Sequence, residues 1–207
     1  MYKKYGKRLL DIILSAIGIL VLAIPMLIIA IAIEIDSPGP AIFKQKRVGL
    51  HKKEFTILKF RSMPITVRHD LPTHEFKDED LLSPFQRAMR RYSLDELPQL
   101  FCILMSSMTI IGPRPALPNQ TDLIAERDKY GANDVKPGLT GWAQINGRDE
   151  LPTDVKARLD GEYVEKESFL FDLKCFFLTI VSVLKHEGVV EGGAETEEQY
   201  KDIIYKD

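Results

Sequence analysis

Residues 12–33 carry no charged side chain, and Pro25 stands near the middle of them. As helix, these 22 residues would rise roughly 33 Å, enough to cross a hydrocarbon core of about 30 Å. The run is also longer than the roughly 7–15 apolar residues of a secretory signal. Its flanks constrain it further. Lys3, Lys4, Lys7 and Arg8 precede it, while Lys44, Lys46, Arg47, Lys52 and Lys53 follow it. Cationic flanks favour the cytoplasmic side, so a simple span would strand one cluster on the wrong side. A helix that enters the bilayer, bends at Pro25 and leaves by the same face satisfies both. The sequence therefore predicts a basic N-terminus and re-entrant membrane helix over 1–36, a surface domain over 37–186 and an acidic tail over 187–207.

Charge supports a membrane-surface location and excludes another partner class. Twenty-eight Lys and Arg against 30 Asp and Glu leave a formal net charge of −2, so no general affinity for nucleic acid follows. A basic stretch beside an apolar segment matches contact with anionic lipid headgroups. Cys102 and Cys175 sit in apolar surroundings without CxxC or metal-ligand spacing, and both are expected to be buried thiols. The four histidines lack metal spacing, and neither a Walker A loop nor a Rossmann glycine pattern occurs.

The rest of the chain reads as α+β and mostly helical. Asp36-Ser37-Pro38-Gly39-Pro40 should end the membrane helix. Strands are predicted over 41–43 and 55–63, joined by a basic turn around Gly49, with Lys59 and Arg61 on one face. A polar loop over 64–82 leads to Ser83-Pro84, a good N-cap with Pro at the first helical position. Helices are predicted over 84–91, 93–105, 117–129, 155–165 and 169–184. The last is strongly apolar, fit for either the core or the membrane interface.

Three segments carry chemistry. In Ser93-Leu94-Asp95-Glu96-Leu97-Pro98-Gln99, Ser93 and Glu96 have capping-box spacing, which sets Asp95 in a first helical turn. The helix terminus and nearby Arg90 and Arg91 should favour its ionised form. An ionised Asp can attack phosphorus or ligate Mg²⁺, with Glu96 beside it for the other role; a plain acidic helix start fits the same spacing. Lys59, Arg61, Arg90 and Arg114 would form a cationic surface for a diphosphate, although a solvated strand face is the plainer reading of the first two. Prolines on both sides of Arg114 restrict its backbone. The segment 137–148 sets the single Trp between glycines and offers Gln144, Asn146 and Arg148 as donors, or else packs Trp142 into the core or the interface.

Lys7-Arg8…Asp11, Lys59-Phe60-Arg61-Ser62-Met63, Ser93-Leu94-Asp95-Glu96-Leu97-Pro98-Gln99, Gly112-Pro113-Arg114-Pro115 and Pro137-Gly138-Leu139-Thr140-Gly141-Trp142-Ala143-Gln144 occur in this order in bacterial sugar transferases. Over nearly its whole length the chain resembles the small, catalytic-domain-only form of these monotopic polyprenyl-phosphate phosphoglycosyl transferases. The resemblance implies a membrane-surface catalytic domain with short strands and interfacial helices. It implies that Asp95 attacks the β-phosphorus of a UDP-sugar, releasing UMP, and that polyprenyl (undecaprenyl) phosphate then takes the sugar phosphate. It also implies Glu96 beside the nucleophile, Lys59, Arg90 and Arg114 at phosphate, Asp160 within the site, and Mg²⁺ as cofactor with Asp95 as ligand. The donor sugar expected is an N-acetylated hexose or a deoxy derivative, and the product starts a surface glycan. Membrane lipids, a homodimer and downstream glycosyltransferases are further expected partners, at the cytoplasmic face of a bacterial plasma membrane. Many relatives have Ser-Pro where this chain has Ile24-Pro25, so the bend needs another partner for its freed carbonyl, such as water or backbone near Gly18. A non-enzymatic membrane adaptor of a glycan-assembly complex is the competing reading, and a single span is the competing topology.

Overall fold

The computed structural model describes residues 1–64, 82–147 and 151–185. Arg148 and the acidic tail 187–207 lie outside the described residues, as does most of the expected loop over 64–82. A π-helical turn, Tyr2–Gly6, opens into helix α1, Lys7–Asp36. The antiparallel pair β1, Ile42–Val48, and β2, Glu54–Phe60, follows, with Ile42 opposite Phe60 and Val48 opposite Glu54. Helix α2 is Pro84–Arg91 and helix α3 is Gln99–Leu104. Strand β3, Thr109–Ile111, pairs in parallel with β4, Gly138–Thr140, and α4, Thr121–Asp128, lies between them in sequence. The short α5, Trp142–Ile145, then α6, Thr153–Lys166, and α7, Phe169–Lys185, complete the described chain.

Helix α1 is helical throughout, including at Pro25, and at 30 residues extends about 45 Å. One stripe faces the protein: Asp11 and Ser15 are buried, Gly18 admits the side chain of Leu100, and Leu22, Met26, Ile29 and Ile33 pack inward. Steps of three and four keep these residues on one face of the helix. Ile19 and Ala30 flank this stripe, whereas Leu20, Ile24, Ile28 and Ile35 point outward. Gly18 thus serves packing against α3 rather than repair of a bend.

Both ends of α1 are fastened to the same body. At the start, Arg8 donates to the carbonyls of Ile103 (2.7 Å) and Leu104 (2.8 Å). The buried Asp11 carboxylate accepts from Thr109 Oγ1 (2.8 Å) and Ile110 N (2.9 Å), and so seats the helix on β3. Lys7 pairs with Asp172 of α7, which also accepts from Tyr2 (2.5 Å) and Tyr163 (2.8 Å). At the far end Met26 and Ile33 join Ala41, Phe60 and Met89 in one apolar cluster.

Helix α7 inverts the usual amphipathic arrangement. Asp172, Cys175 and Ser182 face inward, whereas Leu170, Leu173, Phe176, Phe177 and Ile180 are exposed. Phe101 and Met105, within and just after α3, add to the exposed apolar surface. Contiguous apolar area of this kind marks an interaction or membrane surface. The outward apolar face shows that α7 is not a fully buried core helix.

Local signals held where they were complete. Ser83 caps α2 in a reciprocal capping box with Gln86. The box expected at Ser93 and Glu96 does not form. Ser93 is left-handed, with φ 54°, and the chain makes a 3₁₀ turn over Leu94–Glu96 before α3 starts after Pro98. The expected helix over 93–105 is therefore split, because the Glu96 side chain is used elsewhere. Cys102 and Cys175 are buried and unpaired, as expected.

Candidate active site

The Leu94–Glu96 turn presents two adjacent carboxylates to a group of cations. Glu96 Oε1 accepts from Lys59 Nζ at 2.8 Å and from Arg114 Nη2 at 2.9 Å. Lys59 comes from β2, and Arg114 from the loop that follows β3. That loop is placed by glycine. A Cβ on Gly138 would lie 2.2 Å from Gly112 N, and one on Gly141 would lie 2.1 Å from Gly112 O. The backbones of Gly112-Pro113-Arg114-Pro115 and 138–141 touch directly, and only glycine permits it. These glycines admit another stretch of backbone.

Asp95 stands apart from this pairing. Its Oδ2 lies 3.4 Å from the hydroxyl of Ser62, and Lys59, Glu96, Arg90 and Arg114 act on it through their charges. Burial pushes its pKa up to about 6, Glu96 pushes the same way, and Lys59, Arg90 and Arg114 oppose the rise. The sequence argument, from a helix terminus and nearby arginines, had the direction reversed. Desolvation dominates because the turn is packed against β2 and α2. Burial also opposes charge on Glu96, but Arg114 and Lys59 outweigh it and hold that carboxyl well below its ordinary range. At neutral pH both are carboxylates, one committed to two cations and the other largely uncommitted.

Other expected members lie elsewhere or turn away. Arg61 is 5% exposed, and its guanidinium donates to the carbonyls of Ser37, Pro38 (3.1 Å) and Gly39 (3.2 Å). It clamps the turn that ends α1 rather than facing a diphosphate, because β2 has already ended at Phe60. Asp160 is 1% exposed and accepts from Arg127 Nε (2.8 Å) and Nη2 (2.5 Å), which ties α6 to α4. Gln144 donates to Leu139 O (3.2 Å) within its own loop. Trp142 packs on Phe171 with 5.1 Å between ring centroids, and the Lys174 ammonium lies 5.1 Å from its ring. Ser62 was not singled out from the sequence, although it lies in the same short motif as Lys59.

The model of the family described as bacterial sugar transferase matches residues 2–186. The chain belongs to the bacterial sugar transferase family. It is therefore a transferase, and the adaptor reading falls. It is 38% identical to "Uncharacterized sugar transferase EpsL" of Bacillus subtilis, over 94% of this chain and 95% of that one. It is 36% identical to the Escherichia coli UDP-glucose:undecaprenyl-phosphate glucose-1-phosphate transferase, over 84% of this chain and 39% of that protein. The Salmonella typhimurium undecaprenyl-phosphate galactose phosphotransferase is 32% identical, over 89% and 42%. This transferase thus spans about two fifths of the length of the latter two relatives and nearly all of the first. The long apolar α1 and relatives named for a polyprenyl-phosphate substrate together point to membrane association.

Proposed function

We propose that this transferase moves a sugar 1-phosphate from a UDP-sugar to polyprenyl phosphate, through a covalent intermediate on Asp95. The observation that carries the reading is the division of labour in the turn. Glu96 holds Lys59 and Arg114 in place, while Asp95 remains partly accessible and free to react. A carboxylate oxygen of Asp95 attacks the β-phosphorus, and the bond from that phosphorus to the bridging oxygen breaks. UMP leaves with the electron pair, and Asp95 carries the sugar phosphate as an acyl phosphate. An oxygen of the polyprenyl phosphate then attacks the same phosphorus. The Asp95–phosphorus bond breaks, the carboxylate is restored, and a polyprenyl-diphosphate sugar departs. Lys59, Arg90 and Arg114 offset the negative charge of the reacting phosphates.

Among the described residues no group of three or more His, Cys, Asp or Glu could hold a metal by itself. Two adjacent carboxylates do fit Mg²⁺, which is commonly bound by one or two carboxylates together with substrate phosphates. On this reading Asp95 and Glu96 would hold it, and it would supply charge neutralisation for the diphosphate.

The membrane is reached through α1 and α7. Attachment of both ends of α1 to one body supports a helix that enters and leaves by one face, since a span would carry its ends to opposite faces. The cationic flanks support the cytoplasmic face, where nucleotide sugars are available. The test is UMP release from a panel of UDP-sugars, with undecaprenyl phosphate as acceptor. The panel includes UDP-glucose and UDP-galactose, after the sugars of the named relatives, beside N-acetylated and deoxy hexoses. Release by the wild type and its loss in Asp95→Asn are expected. Unchanged turnover in that variant eliminates the nucleophile.

A further inference from the structure

The segment 59–62 touches three things in four residues. Lys59 bonds Glu96, Arg61 clamps the turn after the membrane helix, and the Ser62 hydroxyl faces Asp95 Oδ2 at 3.4 Å. Ser62 is 9% exposed and follows directly on an anchored residue. The backbone N–H of Arg61 donates to Ala41 O at 2.9 Å, and its side chain is spread over three successive carbonyls, 37–39. The Ser62 hydroxyl therefore sits on backbone anchored one residue upstream.

The structure assigns Ser62 as a positioning residue for the nucleophile: its O–H donates to Asp95 Oδ2 and sets the orientation in which that carboxylate meets phosphorus. This rests on the reading of Asp95 as nucleophile. A separation of 3.4 Å is long for a hydroxyl–carboxylate contact, and such contacts tighten when a reactive complex forms. The arrangement has a mechanical consequence. Because Arg61 bonds the carbonyls that end α1, the seat of the membrane helix and the aim of the nucleophile share one short stretch of backbone.

The experiment compares the full-length wild type, Ser62→Ala, Ser62→Thr and Asp95→Asn in the UMP-release assay, with the donor selected by the panel. Ser62→Ala is expected to lower kcat roughly tenfold with KM for the UDP-sugar near the wild-type value. Ser62→Thr, which keeps the hydroxyl, restores kcat. Wild-type kcat in Ser62→Ala, with Asp95→Asn inactive, overturns the assignment and leaves the nucleophile standing. A slower Ser62→Ala whose KM rises along with the fall in kcat, or one not rescued by Thr, overturns it equally, because a packing role has that signature. Wild-type turnover in Asp95→Asn overturns the nucleophile reading and this inference with it. Should Ser62→Ala melt early, Ser62→Cys, close in volume and weaker as a donor, is read by the same split between kcat and KM.

Discussion

Glu96 and Asp160 both meet arginine, and they do so to opposite ends. The Asp160–Arg127 pair is closed: both side chains are at most 5% exposed, and one carboxylate oxygen takes two guanidinium donors. The Glu96 group is open. One carboxylate shares two cations, all partly exposed, and a second carboxylate lies beside it, facing the Ser62 hydroxyl. A buried pair answered one to one holds helices together. A partly exposed cluster in which cations and two carboxylates stand together suits the phosphate chemistry proposed above.

The largest expected effect tests the open cluster. Asp95→Asn should lower turnover by on the order of 10⁴-fold or more, the usual scale for loss of a covalent nucleophile, while the fold persists. Steady-state UMP release measures it. The closed pair should respond in stability instead. Asp160→Ala leaves Arg127 buried and unanswered and should cost about 3–5 kcal/mol in denaturant unfolding. Its kcat per folded molecule should stay near wild type; a fall in kcat with unchanged stability would move Asp160 into the catalytic group. Replacing both partners, Asp160→Leu with Arg127→Met, should recover much of the loss.

Lys59→Ala breaks the open cluster from another side and should lower kcat/KM roughly a hundredfold, the scale for one lost electrostatic contact to a developing charge. A smaller effect comes from pH. With the Asp95 pKa near 6, kcat/KM should fall as pH drops through about 6, where the nucleophile is protonated. The same shift predicts a gain in stability on mutation. Below pH of about 4 Asp95 is protonated both folded and unfolded. Between there and about 6 the unfolded chain ionises first, so the folded state loses relative stability as pH rises, and that penalty persists above about 6. Asp95→Asn never ionises there, so its Tm should exceed wild type at pH 8, with the difference closing toward pH 4.

Much of the fold was legible. Ser83-Pro84 placed the start of α2 because cap and proline act within one turn, and the breakers at 36–40 ended α1 for the same local reason. The parallel pair β3 and β4 was not seen, since three-residue strands have too little periodicity and their pairing depends on Gly112 meeting Gly138. Within the site, the residue types and the order of the motifs singled out Asp95, Glu96, Lys59 and Arg114. Arg61 and Asp160 were drawn into the same group because motif membership does not say which way a side chain points.

By itself the sequence determined that one long apolar helix flanked by cations precedes a domain built on a small set of charged motifs. Those are properties of composition and short-range spacing, and no distant contact alters them. Only the tertiary structure decided that α1 lies along the domain with both ends fastened, and that α7 turns its apolar face outward. It also decided which cations Glu96 claims. The charge state of Asp95 shows the reason most plainly. Its neighbours in sequence argue for a low pKa, and the burial that raises it to about 6 exists only once β2 and α2 close around the turn.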